Sequence, residues 1–184
     1  MQKAESRRQK CAWHLVAMVA TGIAAITCIA RAAESDSPPV KIQVLDFDGL
    51  QKLIAAQSGK VVVMDCWSTS CAPCIKEFPN LVALHKKYGP AKVACISLSF
   101  DYDGSEKLED VQPPVQKFLE RQGATFDNVL SSVPSDELCK KLDLPSIPAV
   151  YVFDRDGKLS KRFEGSKAYD GVPELVEKLV SGKR

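Results

Sequence analysis

The chain has 184 residues, of which 25 are Lys or Arg and 23 are Asp or Glu, so its formal net charge is +2. Five of the basic residues and one acidic residue lie in the first 32 positions, which leaves 20 basic and 22 acidic residues in the rest. This balance excludes the strongly basic surface with which proteins bind nucleic acid. The remaining length of about 150 residues suffices for one well-buried domain.

The N-terminal 32 residues have the pattern of a secretion signal. Basic residues cluster in the first ten positions, and residues 11–30 contain no Asp, Glu, Lys or Arg. Ala30-Arg31-Ala32 then has the small-x-small pattern of a signal-peptide cleavage site. This pattern predicts either a cleaved signal peptide or an uncleaved membrane anchor through residues 11–30, since about 20 apolar residues can span a bilayer. Both alternatives place the rest of the chain in the periplasm or on the outer face of the cytoplasmic membrane. The polar, proline-bearing residues 33–40 are predicted to be a linker.

The next 60 residues or so predict strands that alternate with helices. In chain order, these elements are a strand over 41–46, a helix over 47–57, a strand over 61–64, a helix over 72–88 and a strand over 91–100. The strand over 61–64 is a continuous apolar run, as expected of a central strand that is covered on both faces. Pro79 lies inside the second helix and is predicted to kink it, because proline lacks the N–H that the helix needs.

The second half of the chain predicts two further helices, a short strand and a terminal hairpin followed by a last helix. In chain order, these elements are an acidic loop over 101–112, a helix over 115–122, a strand over 126–130, a helix capped by Ser135, a loop over 144–148, strands over 149–153 and 159–163 joined by an Asp156-Gly157 turn, and a helix opened by Pro173. The alternation predicts an α/β fold whose sheet is parallel at first and ends in an antiparallel edge.

Two cysteines separated by Ala72-Pro73 lie where the central strand gives way to a helix. Cys71 precedes the predicted helix, so unpaired backbone N–H groups and the positive end of the helix dipole face its sulfur. That environment favours the thiolate, which attacks a disulfide of another molecule. Cys74 lies one helical turn later on the same side and can attack Cys71 in turn, which releases the reduced product. The spacing therefore predicts a redox couple.

Several motifs around this pair match those of a known family. The matching residues are Trp67, Cys71-Ala72-Pro73-Cys74, Glu77-Phe78-Pro79 and Ile147-Pro148. With these motifs the chain resembles the thioredoxin fold, and more closely the extracytoplasmic TlpA/ResA-like thiol–disulfide oxidoreductases, over about residues 41–182. The resemblance implies a three-layer α/β sandwich with a mixed central sheet, an inserted α-β segment over about 101–130, and a thioredoxin-like domain over 41–184.

The resemblance also implies that two carboxylates accompany the cysteines in catalysis. Asp65 would be buried behind Cys74 and move its proton, and a charge within a Val-rich strand needs such a reason to be there. Glu77 lies one turn after Cys74 and would tune the pair, since negative charge near a thiolate raises its pKa. A solvated helix face is the alternative explanation for Glu77.

A substrate-binding surface is implied beside the pair. Pro148 would be cis and would expose the Ile147 backbone to an extended substrate segment, in the manner of an added β-strand. Trp67 and Ser70 are predicted to contribute to the same surface. Ser70 departs from the family, which usually has an aromatic residue just before the first cysteine. This difference is expected to affect the redox potential and the choice of partner and not the reaction itself.

The predicted partners are proteins. The resemblance implies exchange of the Cys71–Cys74 disulfide with cysteines of exported proteins, in the reducing direction, and a membrane or exported electron donor that restores the dithiol. No cofactor is predicted. No metal is predicted either, because only His85 remains after residue 32 and no second close cysteine pair exists for a four-ligand zinc site.

Two other functions stay open at this stage. In a secreted binding module, the Cys71–Cys74 disulfide would be a static link. A peroxiredoxin-like thiol peroxidase is the other alternative, although Ser68 and Met64 occupy the positions where that fold carries Thr and Pro. Three further cysteines follow residue 32. Cys66 and Cys95 are predicted to be buried core thiols. Cys139 is predicted to be partly exposed, so a role as a third redox-active thiol stays open for it.

Overall fold

A computed structural model describes residues 38–182 of the chain. It contains six strands and six helices within that range. In chain order these are β1 (Ile42–Leu45), α1 (Phe47–Ala55), β2 (Val61–Trp67), α2 (Ala72–Glu77), α3 (Pro79–Tyr88), β3 (Val93–Ser99), α4 (Leu108–Gln122), β4 (Asp127–Ser131), α5 (Ser135–Lys141), β5 (Ala149–Phe153), β6 (Leu159–Glu164) and α6 (Val172–Ser181).

The six strands form one mixed sheet in the order β1-β4-β3-β2-β5-β6. The first four are parallel to one another, and β5 and β6 are antiparallel to their neighbours. All residues of β2 and β3 are buried, which explains the continuous apolar run over 61–64 and leaves the polar side chains of Asp65, Ser97 and Ser99 covered as well. The predicted α/β sandwich with a mixed sheet is confirmed.

Side chains that alternate along β2 separate the two faces of the sheet. Val62, Met64 and Cys66 face the cluster that holds Leu50 of α1 and Leu138 of α5. On the other face, α2, α3, α4 and α6 cover the sheet, and these helices contribute Cys74, Phe78, Leu81, Val115 and Val176 to its clusters. Asp65 lies between Val63 and Trp67 on this second face, so the helix that carries the cysteines packs over it.

The predicted single helix over 72–88 is two helices in the structure. Helix α2 ends at Glu77, Phe78 forms a turn, and Pro79 is the first residue of α3. The helix breaks here and does not merely kink, because Pro79 has no N–H to donate to the carbonyl one turn earlier. Proline is also well suited to the first turn of a new helix.

The predicted loop over 101–112 is wrong in its second half, since α4 begins at Leu108. The helix continues through Pro113 and Pro114, which interrupt its backbone hydrogen bonds. Val111 and Val115 flank the two prolines, and both are buried in the cluster under the cysteines. Burial of these side chains holds the helix together where the local sequence would break it.

Two smaller expectations concern turn residues. Ser135 is the first residue of α5 and not its cap. The cap is Pro134, whose carbonyl accepts the first helical hydrogen bond, from the Leu138 N–H at 2.8 Å. The Asp156-Gly157 turn between β5 and β6 is confirmed, with Gly157 at a positive φ of 76°.

None of the helices within residues 38–182 combines the length and the apolar character that crossing a bilayer requires. The predicted signal or anchor over 1–32, and most of the predicted linker, lie outside the described residues.

Candidate active site

The two cysteines lie at the start of α2 and form a disulfide. Cys71 is the N-cap residue of the helix, and its Sγ accepts a hydrogen bond from the Cys74 backbone N–H at 3.3 Å. Their Cα atoms are 5.2 Å apart. The predicted arrangement is thus present: both sulfurs lie on one side of the helix start, and a backbone donor is directed at the first of them.

The two sulfur-bearing residues differ in their access to solvent. Cys71 is partly exposed, whereas Cys74 is only 1% exposed. Cys74 belongs to the apolar cluster beneath α2, against which Cys71 packs from the outside. A partner molecule can therefore approach Cys71 but not Cys74.

Three aromatic rings form the floor beneath the pair. The Trp67 ring centroid lies 5.0 Å from that of Phe78 and 4.6 Å from that of Phe118, and the two phenylalanine rings are 5.0 Å apart. Trp67 has no exposed surface, and its Nε1 has no hydrogen-bond partner within residues 38–182. This placement does not fit the predicted contact of Trp67 with substrate, since the side chain supports the pair from below.

Asp65 is 2% exposed, and its Oδ2 accepts a hydrogen bond from the Tyr169 hydroxyl at 2.9 Å. Burial raises the pKa of Asp65 from its ordinary value of 3.8 to about 7; the Tyr169 hydrogen bond opposes this rise, and the charge of Glu77 adds to it. Burial also raises the pKa of Tyr169, so its hydroxyl remains a donor. The result is a carboxyl group that changes charge near neutral pH on the face covered by α2.

Glu77 is half-buried on α2, one turn after Cys74. Its Oε2 accepts a hydrogen bond from the Asn80 side chain at 3.0 Å. Its charge reaches Asp65 strongly enough to influence the ionisation of that residue. The charge of Glu77 therefore acts on Asp65, and the catalytic role of the two acids stays a prediction.

The turn that precedes Cys71 is held by Asp101, which follows β3. Asp101 Oδ1 accepts hydrogen bonds from the Thr69 backbone N–H, at 2.9 Å, and from the Thr69 hydroxyl. Its Oδ2 accepts from the Ser99 hydroxyl at 2.6 Å. The exposed Ser70 shares a hydrogen bond of 3.1 Å with the hydroxyl of Ser68, so the polar rim predicted at this position is present.

The loop before β5 contains the cis peptide bond that the family resemblance predicted, between Ile147 and Pro148. Ile147 is half-buried and packs against the cluster that contains Cys74. The Pro148 carbonyl accepts from the Gly165 N–H at 3.0 Å. In contrast, no hydrogen bond within residues 38–182 uses the N–H or carbonyl of Ile147.

The family model described as Redoxin matches residues 32–179, which is well over half of the chain. The chain belongs to the Redoxin family.

Individual Redoxin-family relatives are distant but cover most of the chain. The thiol-disulfide oxidoreductase ResA of Geobacillus thermodenitrificans is 26% identical over 134 residues, which are 73% of this chain and 71% of that protein. The thiol:disulfide interchange protein HelX of Rhodobacter capsulatus is 23% identical over 154 residues, 82% of this chain and 78% of that protein. These relatives and the cysteine geometry identify this Redoxin as a TlpA/ResA-like thiol–disulfide oxidoreductase.

Solved structures confirm the fold. A thiol-disulfide isomerase from Corynebacterium glutamicum superposes with a TM-score of 0.59 at 22% identity, over 79% of this chain and 97% of that one. The thioredoxin-like fold predicted from the motifs is therefore confirmed.

Three further cysteines lie within residues 38–182, and all three are free thiols. Cys66 and Cys95 are buried free thiols, as predicted, and burial raises the pKa of Cys95 to about 12. Cys139 is a partly exposed free thiol, also as predicted, and burial raises its pKa. Within residues 38–182, no three His, Cys, Asp or Glu side chains are grouped as a metal site would require.

Three residues of the site were not foreseen from the sequence. Tyr169 lies in the segment between β6 and α6, Asp101 in a stretch that reads as an acidic loop, and Phe118 in the inserted helix. The Asp65 carboxyl within an apolar strand did signal that a buried partner was needed, because an isolated buried charge is unstable. Nothing local to Tyr169 identified it as that partner.

Proposed function

We propose that this Redoxin is an exported reductase of protein disulfides that acts through Cys71 and Cys74. One observation carries the proposal: the two linked sulfurs lie at a helix start, and only the first is accessible. A static link would need neither the unequal exposure nor the backbone donor at Cys71. The Redoxin-family relatives named as thiol–disulfide enzymes support the same reaction class.

In the first step, the thiolate of Cys71 attacks one sulfur of a substrate disulfide. A mixed disulfide forms, and the other substrate sulfur leaves as a thiolate. The Cys74 backbone N–H, which lies 3.3 Å from Cys71 Sγ in the oxidised form, favours the charged form of the attacking sulfur.

In the second step, Cys74 attacks Cys71 and restores the disulfide. The bond between Cys71 and the substrate breaks, and the substrate leaves with both of its sulfurs reduced. Cys74 is buried, so its thiol must lose its proton to a group within the fold. We assign this role to Asp65, whose pKa of about 7 suits a proton acceptor near neutral pH. Glu77 contributes through its charge on Asp65.

The substrate backbone is proposed to pair with Ile147, whose N–H and carbonyl are not used within the described part of the fold. The cis bond to Pro148 precedes β5, so a segment bound there would extend alongside the sheet next to Cys71. The Ser70 hydroxyl would line the rim of this surface.

The reducing direction is supported by the two acids near the pair. Asp65 and Glu77 place negative charge on the face that carries the cysteines, and such charge disfavours an over-stabilised thiolate. Strong oxidants stabilise their reduced form, so this charge opposes an oxidant. A membrane-bound or exported donor of two electrons would then restore the dithiol. The predicted signal or anchor over 1–32 supports action outside the cytoplasm.

Trapping of the mixed disulfide tests the reaction. In Cys74→Ser the second step is blocked, so substrate proteins are expected to remain bound to Cys71 through a bond that dithiothreitol cleaves. Cys71→Ser is the matched control and should trap little, because Cys74 is 1% exposed. Equal trapping by both variants, or none by either, would contradict the scheme.

The direction of transfer is tested separately by equilibration of the protein with glutathione buffers. A reductase should remain largely oxidised in buffers that reduce a strong oxidant such as a disulfide-forming enzyme. A protein that is already fully reduced in mildly reducing glutathione would act as an oxidant.

A further inference from the structure

Tyr169 is the one hydrogen-bond donor to the Asp65 side chain among the described residues, at 2.9 Å, and it comes from a segment 104 positions away. Both residues are nearly without exposure, at 2% for Asp65 and 6% for Tyr169. Tyr169 packs with Val63 of β2 and Val172 of α6 in one apolar cluster. Water therefore has little access to the carboxyl group, and the orientation of that group depends on the tyrosine.

The titratable groups that interact with Asp65 come from four elements, and one of them, Cys66, lies on the opposite face of the sheet. Tyr169 approaches from the segment before α6, Glu77 from α2 and Cys95 from β3, while Cys66 is its neighbour on β2. Burial raises the pKa of both thiols, so they stay neutral. Of these four groups, only Tyr169 stabilises the charged carboxylate, since the charge of Glu77 opposes it.

We propose that Tyr169 is a positioning residue that orients the Asp65 carboxylate beneath α2 and thereby sets the pH above which Cys74 can surrender its proton. This inference rests on the proposed function, because it concerns the second step of the exchange. The Tyr169 hydroxyl donates to Asp65, and Tyr169 lies in a different apolar cluster from Cys71 and Cys74.

A two-step reaction with Ellman's reagent separates this step from the first one. Reduced Cys71 attacks the aromatic disulfide and releases one thionitrobenzoate. Cys74 then gives its proton to Asp65 and attacks Cys71, so that the mixed disulfide breaks and a second thionitrobenzoate leaves. The two protein thiols are oxidised to a disulfide, and the reagent is reduced to two thiolates. The rate of the second release against pH should rise as Asp65 ionises.

The decisive variant is Tyr169→Phe, which keeps the ring and removes the hydroxyl. Loss of the hydrogen bond to the carboxylate should move the rise in the second release upward by about one pH unit. The carboxyl carbon-13 resonance of Asp65 should titrate with the same upward shift. Tyr151→Phe is the matched control, because its buried hydroxyl donates to the Leu142 carbonyl at 3.0 Å on the other face of the sheet, and it should shift neither midpoint.

A double variant distinguishes positioning from a general loss of structure. In the Asp65→Asn background no carboxyl group remains to titrate, so adding Tyr169→Phe should cause no further shift in the pH profile. A further shift in that background would overturn the inference.

Failure of the inference and failure of the proposed function give different results. An Asp65 resonance whose midpoint is unchanged by Tyr169→Phe overturns the inference, whatever the kinetics show. A wild-type protein that releases only the first thionitrobenzoate at every pH overturns the proposed exchange reaction instead, because that result does not depend on Tyr169.

Discussion

Two carboxylates flank the cysteine pair, and their surroundings differ sharply. Asp65 is buried and receives the Tyr169 hydroxyl as its one donor within residues 38–182. Asp101 is half-buried and receives the Thr69 backbone N–H, the Thr69 hydroxyl and the Ser99 hydroxyl. The first group can gain or lose a proton near neutral pH, whereas the second ties the turn before Cys71 to the end of β3. The two carboxylates thus mark a region in which we propose proton transfer and a region that fixes the backbone.

The largest effect is expected at the first region. Asp65→Asn removes the proposed proton acceptor, so the second release in the two-step reaction should slow by about 100-fold at pH 8. Asp101→Asn makes the same chemical change in the second region and should stay within a few-fold of wild type. If the second release were slow in both variants, the proposal that only Asp65 accepts the proton would be contradicted.

The pH dependence of stability should also separate them. The folded-state pKa of Asp65 lies above the unfolded value of 3.8, at about 7, so the folded protein binds this proton more tightly. The stabilisation is fully present below about pH 4 and is lost as the pH rises through about 7.

Wild type should therefore lose on the order of 4 kcal/mol in free energy of unfolding between pH 4 and pH 8 because of this group. Asp65→Asn should lack that part of the decline, as measured by urea unfolding of the oxidised protein at each pH. An identical decline in the variant would show that Asp65 is not the titrating group.

At the second region, Asp101→Ala should destabilise the protein by about 1–2 kcal/mol, because Thr69 and Ser99 lose their acceptor. The first release, which reports attack by Cys71, should slow a few-fold as the preceding turn loosens. The pH midpoint of the second thionitrobenzoate release should remain that of wild type. Asp103→Ala is the control in the same loop, since its carboxylate bonds only with Ser105 among the described residues.

The smallest effect is expected for Thr69→Val, which keeps the backbone N–H donor to Asp101 and removes only the hydroxyl. Thermal unfolding should report a loss of about 0.5–1 kcal/mol with both releases nearly unchanged. If Thr69→Val lowered the free energy of unfolding as much as Asp101→Ala does, the Thr69 hydroxyl would account for the full stabilising effect of Asp101.

Much of the fold follows from local sequence. The apolar runs of β2 and β3 predicted central strands, and the Asp156-Gly157 turn predicted the terminal hairpin, because these signals depend on neighbouring residues. The same holds for the cysteine pair, whose spacing is fixed by one helical turn. The cis bond before Pro148 could be predicted only through the family resemblance, since its local sequence permits either isomer.

The rest depends on contacts between distant parts of the chain. Tyr169 reaches Asp65 across 104 positions, and Asp101 reaches Thr69 across 32. Helix α4 passes through two prolines because its valines are buried, which no local propensity indicates. The burial of Trp67 depends on distant contacts as well, among them the Phe118 ring on a separate helix.

The ring of Phe118 has a further consequence for how the domain can be re-engineered. The family resemblance implies that residues 101–130 are an insertion relative to a minimal thioredoxin, which would make this segment a natural candidate for removal. This segment supplies the Phe118 ring, which packs against Trp67 and Phe78. It also supplies Asp101, which hydrogen-bonds to Thr69 in the turn before the disulfide. A shortened chain without this segment would uncover part of the Trp67 indole beneath Cys71 and Cys74, so the segment could not be removed without changing the packing under the disulfide.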